Sequence, residues 1–472
     1  MVRAMCPKLI VSTESIPARY ALEQLLGPLD LTWAFSNHWD DGWGSPSAAI
    51  IYGIDKVFPE RMPYLLIRDC GFLDSEFLTG EPPSQVMSFR GLSVLCASGR
   101  REEKLEAGLV VSVDIVATTF LKLSFHLEAT VAQKDQHGRT RPYDNTGLGS
   151  TDVPIVDCCR SWLVEWLGRI GVRASQRDLW DGQPFAAFIS HDIDVQRMYR
   201  RRIPPIVDMA RGLMSRDLKG SLLMAVSWMQ SQCLRRDPFD SLVCFSPYAR
   251  KHGGRETYFM LLGPDTMSGP IDVPLLMYDS RKVRANGHEV AWHASYAGME
   301  DSAVMKSEHE RFRSAVGTRF PGVRFHYLRC RMPDTLAELE GKVHYDASCG
   351  FAEREGFRAG TCFAFQPYSP SLGRKLNVVE IPLLVMDVTL ISDTYRGLTT
   401  EEALNRIADV IKTVARFGGV FSLLWHNINM LSKDHRLLYN RIIELLLEQD
   451  AAFLSGDEIA RRWLTGRIGM SN

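Results

Sequence analysis

Two aspartates one residue apart, Asp192 and Asp194, close the stretch SHDIDV at residues 190–195. The five residues before it, FAAFI, carry neither charge nor hydroxyl and read as a buried strand. Two carboxylates at the mouth of a strand repel unless a cation sits between them or one stays protonated. Asp194 and His293, the latter in EVAWHASY, are oxygen and nitrogen donors suited to zinc or another divalent transition metal. With Asp194 bound to a metal, Asp192 is free to take a proton from water whose pKa the metal lowers. His426, in VFSLLWHN, can protonate a leaving group. Arg329, in VRFHYLR, can pair with Asp192 and hold its rotamer.

The elements that carry these residues alternate. From residue 185 onward, apolar strands alternate with helical segments, the pattern of a parallel sheet or barrel. Six successive strand candidates each place a chemistry-bearing side chain at or near the C-terminal end. They deliver Asp192 and Asp194, then His293, then His326 and Arg329, then Asp346, then Glu380 and Asp387, and last His426. In a βα barrel those ends share one face, and that face holds the active site. A helix is predicted over 400–417, with Thr399 and Glu402 as a capping box and Gly418 as its stop. Two more are predicted over 434–448 and 456–464.

Residues 1–150 mix short strands with Gly, Pro and Asp turns, and GLVVSVDIVATTFLKLSFHL reads there as strand. The polar stretch KDQHGRTRPYDNTGLGSTD reads as a loop. A helix is predicted after it, from the spacing of Val153, Val156, Cys159, Leu163, Trp166, Leu167 and Ile170. Periodicity is lost over 172–184, which marks a domain boundary. At 472 residues the chain is too long for one ordinary core. Its net charge of −1 offers no basic field for nucleic acid or an anionic membrane. No run approaches a membrane span, and the N-terminus lacks the apolar core of a secretory signal, so the expected location is cytoplasmic. The ten scattered cysteines form no CxxC pair and read as reduced, small buried side chains.

The order HDID, GHEVAWH, HYLR, YDAS, LLWHN, spread over roughly residues 185–430, resembles the polysaccharide deacetylase (NodB-homology) family, the family-four carbohydrate esterases. GFRAGTCFAF and EIPLLVMD look like a divergent branch of it. The resemblance implies an α/β fold class: a C-terminal partial (β/α) barrel of the polysaccharide-deacetylase type at 185–472, with a smaller N-terminal α+β accessory domain at 1–172. It implies Asp192 as base, Asp194 and His293 as ligands of a divalent metal ion, zinc by preference, Arg329 as the base's partner, and His426 as acid. Ala297 stands four residues after His293, where the family has a second histidine. His326 is the substitute third ligand, with water as the alternative. His191, Tyr327, Asp346 and Glu380 are expected to bind substrate or brace the site, whereas Asp387 reads as structural.

The expected activity is removal of an acetyl group from an N- or O-acetylated sugar or glycan intermediate of surface-polysaccharide metabolism. The alternatives are a degenerate barrel that binds glycan without cleaving it, and a related C–N hydrolase acting on a small amide. Neither nucleic acid nor a membrane span is expected among its partners.

Overall fold

The computed structural model describes the chain apart from residues 1–6, 37–45, 54–58, 60–61, 131–132, 143–150, 198, 200–204, 207–208, 211–213, 215–217, 235–236, 238–252, 263–272, 318–319 and 467–472. Part of the predicted loop at 134–152 thus lies outside the described residues. The N-terminal region contributes strands β1 (Lys8–Ser12), β2 (Thr32–Phe35), β3 (Ala48–Tyr52), β4 (Tyr64–Ile67), β5 (Val86–Phe89), β6 (Leu92–Leu95), β7 (Glu102–Lys104) and β8 (Gly108–Val111). Six of them form one sheet in the order β2-β1-β3-β4-β8-β7. Only its edge strand β7 runs antiparallel to its neighbour. This mostly parallel sheet is more regular than the mix of short strands and turns read from sequence.

One segment differs from its sequence reading. GLVVSVDIVATTFLKL is strand β8 followed by helix Ile115–Leu123, not a single strand. Asp114 makes the switch, because its Oδ1 accepts from the Ala117 N–H at 2.8 Å and so caps the helix. Every residue of that helix is buried, so its sequence shows no helical period.

The C-terminal region supplies β9 (Ala186–Ile193), β10 (Thr257–Leu261), β11 (Glu289–Ala294), β12 (Gly322–Phe325), β13 (Tyr345–Asp346), β14 (Tyr368–Ser369), β15 (Arg374–Lys375), β16 (Val379–Glu380), β17 (Val385–Met386), β18 (Val420–Leu424) and β19 (Ala452–Phe453). Eight of these run in the order β16-β13-β12-β11-β10-β9-β18-β17, with β19 added beside β9. Every pairing in this sheet is parallel. The sheet curls into a partial barrel. Its two end strands, β16 and β17, do not pair, but residues 381–384 span the seam between them. The Ile381 N–H donates to the Asp346 carbonyl and the Leu384 N–H to Ser422 Oγ, so this short link is held on both sides. Parallel strands aim all their C-terminal ends at one mouth, which is why residues far apart in sequence can meet there.

The three helices predicted near the C-terminus are present as Thr400–Phe417, Lys433–Glu448 and Gly456–Thr465. The first carries the Thr399–Glu402 capping box and ends at Gly418 with φ 69°. The predicted helix before the boundary runs Ile155–Arg169. The eight described cysteines are free thiols. Among the described residues, no helix is long and apolar enough to cross a membrane. The two sheets share no strand, yet one continuous apolar core runs beneath both. Buried polar contacts reinforce that junction: Arg358 makes a two-pronged bridge to Glu128, both bonds 2.7 Å, and Tyr20 Oη donates to the Gln366 carbonyl.

Candidate metal and hydrolytic site

Asp192 and Asp194 sit at the C-terminal end of β9, in the middle of the barrel sheet. His293 lies near the end of β11, and His326 follows β12 directly. Their ligand atoms converge: all those of Asp194, His293 and His326 fall within 4.8 Å of one another. His293 Nε2 is 3.2 Å from Asp194 Oδ1 and 3.4 Å from Asp192 Oδ2, and His326 Nε2 is 3.8 Å from Asp194 Oδ2. His293 Nδ1 lies 2.9 Å from the Arg324 carbonyl, which fixes the tautomer with Nδ1 protonated. The buried Nε2 lone pair then faces the two aspartates and has no hydrogen-bond partner. An orphaned imidazole nitrogen beside carboxylates, with a second histidine across from it, is a donor set that fits a divalent cation such as zinc. Asp194 keeps 26% of its side chain exposed, so the cluster opens to the mouth of the barrel.

The electrostatics agree. Burial raises the Asp194 carboxyl pKa, but the adjacent His293 and the charges of His426 and His326 overcome that and hold it well below the usual range. Burial also disfavours a charged His293, yet Asp192 and Asp194 raise its pKa. The pocket thus gathers positive charge around two carboxylates, and a metal ion would replace those protons.

Two further contacts define what the flanking groups do. Asp192 Oδ1 accepts from Arg324 Nη1 at 2.9 Å, and both side chains are buried. Arg324 Nε also donates to the Ala347 carbonyl. The predicted partner of Asp192, Arg329, is elsewhere: it donates to the His137 carbonyl, pairs with Glu300 and lies 4.2 Å over the Tyr296 ring. The reason is strand phase. Arg324 and His326 are two residues apart and share the inward face. Beyond Phe325 the chain turns through Tyr327 and Leu328, with φ 62° and 55°, and carries Arg329 out to the rim. The alternation in VRFH held the signal for Arg324.

On the opposite side, His426 Nε2 is 4.0 Å from Asp194 Oδ2. Its Nδ1 is 2.7 Å from Asp387 Oδ1, and Asp387 Oδ2 accepts from the His426 and Asn429 N–H groups. Asp387, read from sequence as structural, thus orients His426. Burial would lower the His426 pKa, but Asp387 first, then Asp194 and Asp192, push it up to about 10. We expect Asp387→Asn to remove the largest of those attractions and lower the His426 pKa by about 1–3 pH units. An acid must be protonated to act, so the alkaline limb of the pH–rate profile should move to lower pH. An unmoved limb would mean that His426 is not the acid.

The remaining sequence-predicted residues divide. Tyr327 is at the mouth, its ring 4.6 Å from His326. Asp346 and Glu380, neighbours across β13 and β16, are buried behind Arg324. Asp346 accepts from the Ser348 N–H and hydroxyl, and Glu380 Oε1 from the Cys349 N–H. Burial raises both carboxyl pKa values, and the Asp346 charge raises that of Glu380 further, so Glu380 is the one that keeps a proton. Both side chains are fully buried, and the Asp346 carboxyl is the one whose charge interacts with Arg324. His191 is not at the site. It points to the opposite face of β9, where its ring nitrogens lie 3.3 Å from the Trp425 carbonyl and from Glu256, as the period of two along a strand requires. Ala297 begins a short turn after β11, and the histidine that joins Asp194 and His293 is His326.

Two other features are not this site. Asp69, Cys70 and Asp114 cluster in the N-terminal region, but Tyr52 and the N–H groups of Cys70, Gly71 and Ala117 take up the aspartate oxygens, a capping role. A cavity of about 1170 Å³ lined by Arg255, His288, Glu289 and His344 opens at the N-terminal ends of the barrel strands, the far end from the cluster.

No protein-family model and no curated protein matches the chain. Solved structures similar to it include a protein from Mycobacterium smegmatis assigned as a polysaccharide deacetylase. That match has 15% identity and a TM-score of 0.40, and covers 60% of this chain and 92% of that one. A family 4 carbohydrate esterase from Streptomyces lividans, in complex with acetate, matches at 14% identity and TM-score 0.26, over 46% of this chain and 84% of that one. A carbohydrate deacetylase described as novel matches at 8% identity and TM-score 0.35, over 98% of this chain and 87% of that one.

Proposed function

We propose that the chain is a metal-dependent hydrolase that removes an acetyl group from an N- or O-acetylated sugar or glycan. The observation that carries this reading is the convergence of Asp194, His293 and His326 between two oriented groups, Asp192 on Arg324 and His426 on Asp387. When bound there, a divalent ion, zinc by the donor set, would lower the pKa of water and polarise the acyl oxygen. Asp192 takes a proton from the attacking water, with Arg324 holding the carboxylate in place. His426 gives its Nε2 proton to the departing nitrogen or oxygen as the bond to the acyl carbon breaks and acetate leaves. Asp387 keeps the histidine charged and aimed until that transfer. The sequence resemblance supports the same assignment, with Arg324 replacing Arg329.

We further propose a surface-polysaccharide intermediate met in the cytoplasm as substrate, and a role for residues 1–172 as an accessory unit. The decisive experiment strips the purified protein with a chelator, adds back zinc, and measures acetate release from N-acetylglucosamine oligomers and O-acetylated glycans. Zinc should restore release that the stripped protein lacks. Zinc binding with no release from any of them would favour a binding-only barrel.

A further inference from the structure

The loop KDQHGRT, which has no part in the mechanism above, is a hairpin docked on the barrel mouth. Lys134 bridges Thr140, and the Arg141 N–H donates to the Gln133 carbonyl at 2.9 Å. Asp135 Oδ1 accepts from the His137 and Arg139 N–H groups, and its Oδ2 holds Arg139 Nε at 2.7 Å. Arg139 and Asp135 side chains are each only 8% exposed, so the guanidinium is fixed rather than solvated.

From that position Arg139 Nη1 donates to the Tyr327 carbonyl at 3.2 Å, and Nη2 to Tyr395 Oη at 3.1 Å. Arg329 returns the contact by donating from Nε to the His137 carbonyl. Hairpin and turn therefore clamp each other, each arginine on the other's backbone. The turn needs a clamp. Tyr327 and Leu328 are consecutive non-glycine residues at positive φ, a strained conformation that persists only where surroundings impose it. The residue immediately before them is His326.

We propose that Arg139 is a positioning residue for the metal centre: by fixing the Tyr327 carbonyl it holds the strained turn that aims His326 at Asp194 and His293. The N-terminal region thereby completes a site whose ligands all belong to the barrel. The inference rests on the reading that these three side chains hold a metal.

Zinc affinity of the full-length protein, measured by competition with a chromogenic chelator, tests it without reference to activity. Arg139→Ala should weaken binding about tenfold or more, as loss of a group that orients a ligand does. Arg139→Lys keeps the charge against Asp135 but cannot reach the Tyr327 carbonyl and Tyr395 together. It should fold as wild type and still lose affinity several-fold, which decides the matter if the alanine variant is unstable. In a His326→Ala background, Arg139→Ala should cost nothing more, because its effect runs through that histidine. Wild-type affinity in both Arg139 variants would overturn the proposal, as would an undiminished further loss in the His326→Ala background. If the wild-type protein binds no zinc, the metal reading falls first and this inference with it.

Discussion

Asp192→Asn should cut acetate release by about 10²–10⁴-fold, the range a positioned general base supplies, while zinc content stays at the wild-type level. Asparagine is nearly isosteric and keeps an oxygen toward Arg324 Nη1, now 2.9 Å away, but it cannot accept a proton from water. The metal donors Asp194, His293 and His326 are untouched. The buried Arg324 loses its hydrogen-bonded charge partner, yet the Asp346 carboxyl still attracts it and tempers the loss. Parallel measurement of acetate release and bound zinc separates base from ligand. Activity within a few-fold of wild type would remove Asp192 as the base. Loss of zinc together with activity would make it a ligand.

Arg358→Met should lower stability by about 3–5 kcal/mol, the usual cost of breaking a buried ion pair from one side. The guanidinium meets both oxygens of Glu128 at 2.7 Å, with 2% and 5% of the two side chains exposed. Methionine fills similar space and leaves the carboxylate buried without its cation. Burial raises the Glu128 pKa, but Arg358 more than offsets this and leaves it lowered in the folded state. A depressed pKa contributes stability that is complete above the ordinary glutamate value of about 4.5 and is lost as pH falls through the folded-state value. The penalty of the substitution should therefore be full at neutral pH and shrink in acid. Urea unfolding at neutral and acidic pH checks both parts. A neutral-pH change under about 1 kcal/mol, the scale of an exposed pair, would show that this bridge does little to join the two sheets.

What the sequence determined by itself was local and periodic. Strand–helix alternation after residue 185 pointed to a parallel sheet, because parallel neighbours need a long crossover and a helix is its usual form. The Thr399–Glu402 box and Gly418 fixed one helix to its ends, since caps act within four residues. The strand-end positions of Asp194, His293, His326 and His426 followed from the same alternation, and their placement on one mouth followed from the parallel direction. Tertiary structure decided everything that depended on side-chain phase or on chain returning from far away. Whether Arg324 or Arg329 faces Asp192 turned on where β12 stops and on two residues at positive φ. His191 belongs to the outer face although it adjoins Asp192, because neighbours in a strand point apart. Asp387 reached His426 across 39 residues, and Arg139 reached the Tyr327 turn across 188. No spacing rule encodes such contacts, since they exist only once curled sheet and docked hairpin bring distant backbone within a hydrogen bond's length.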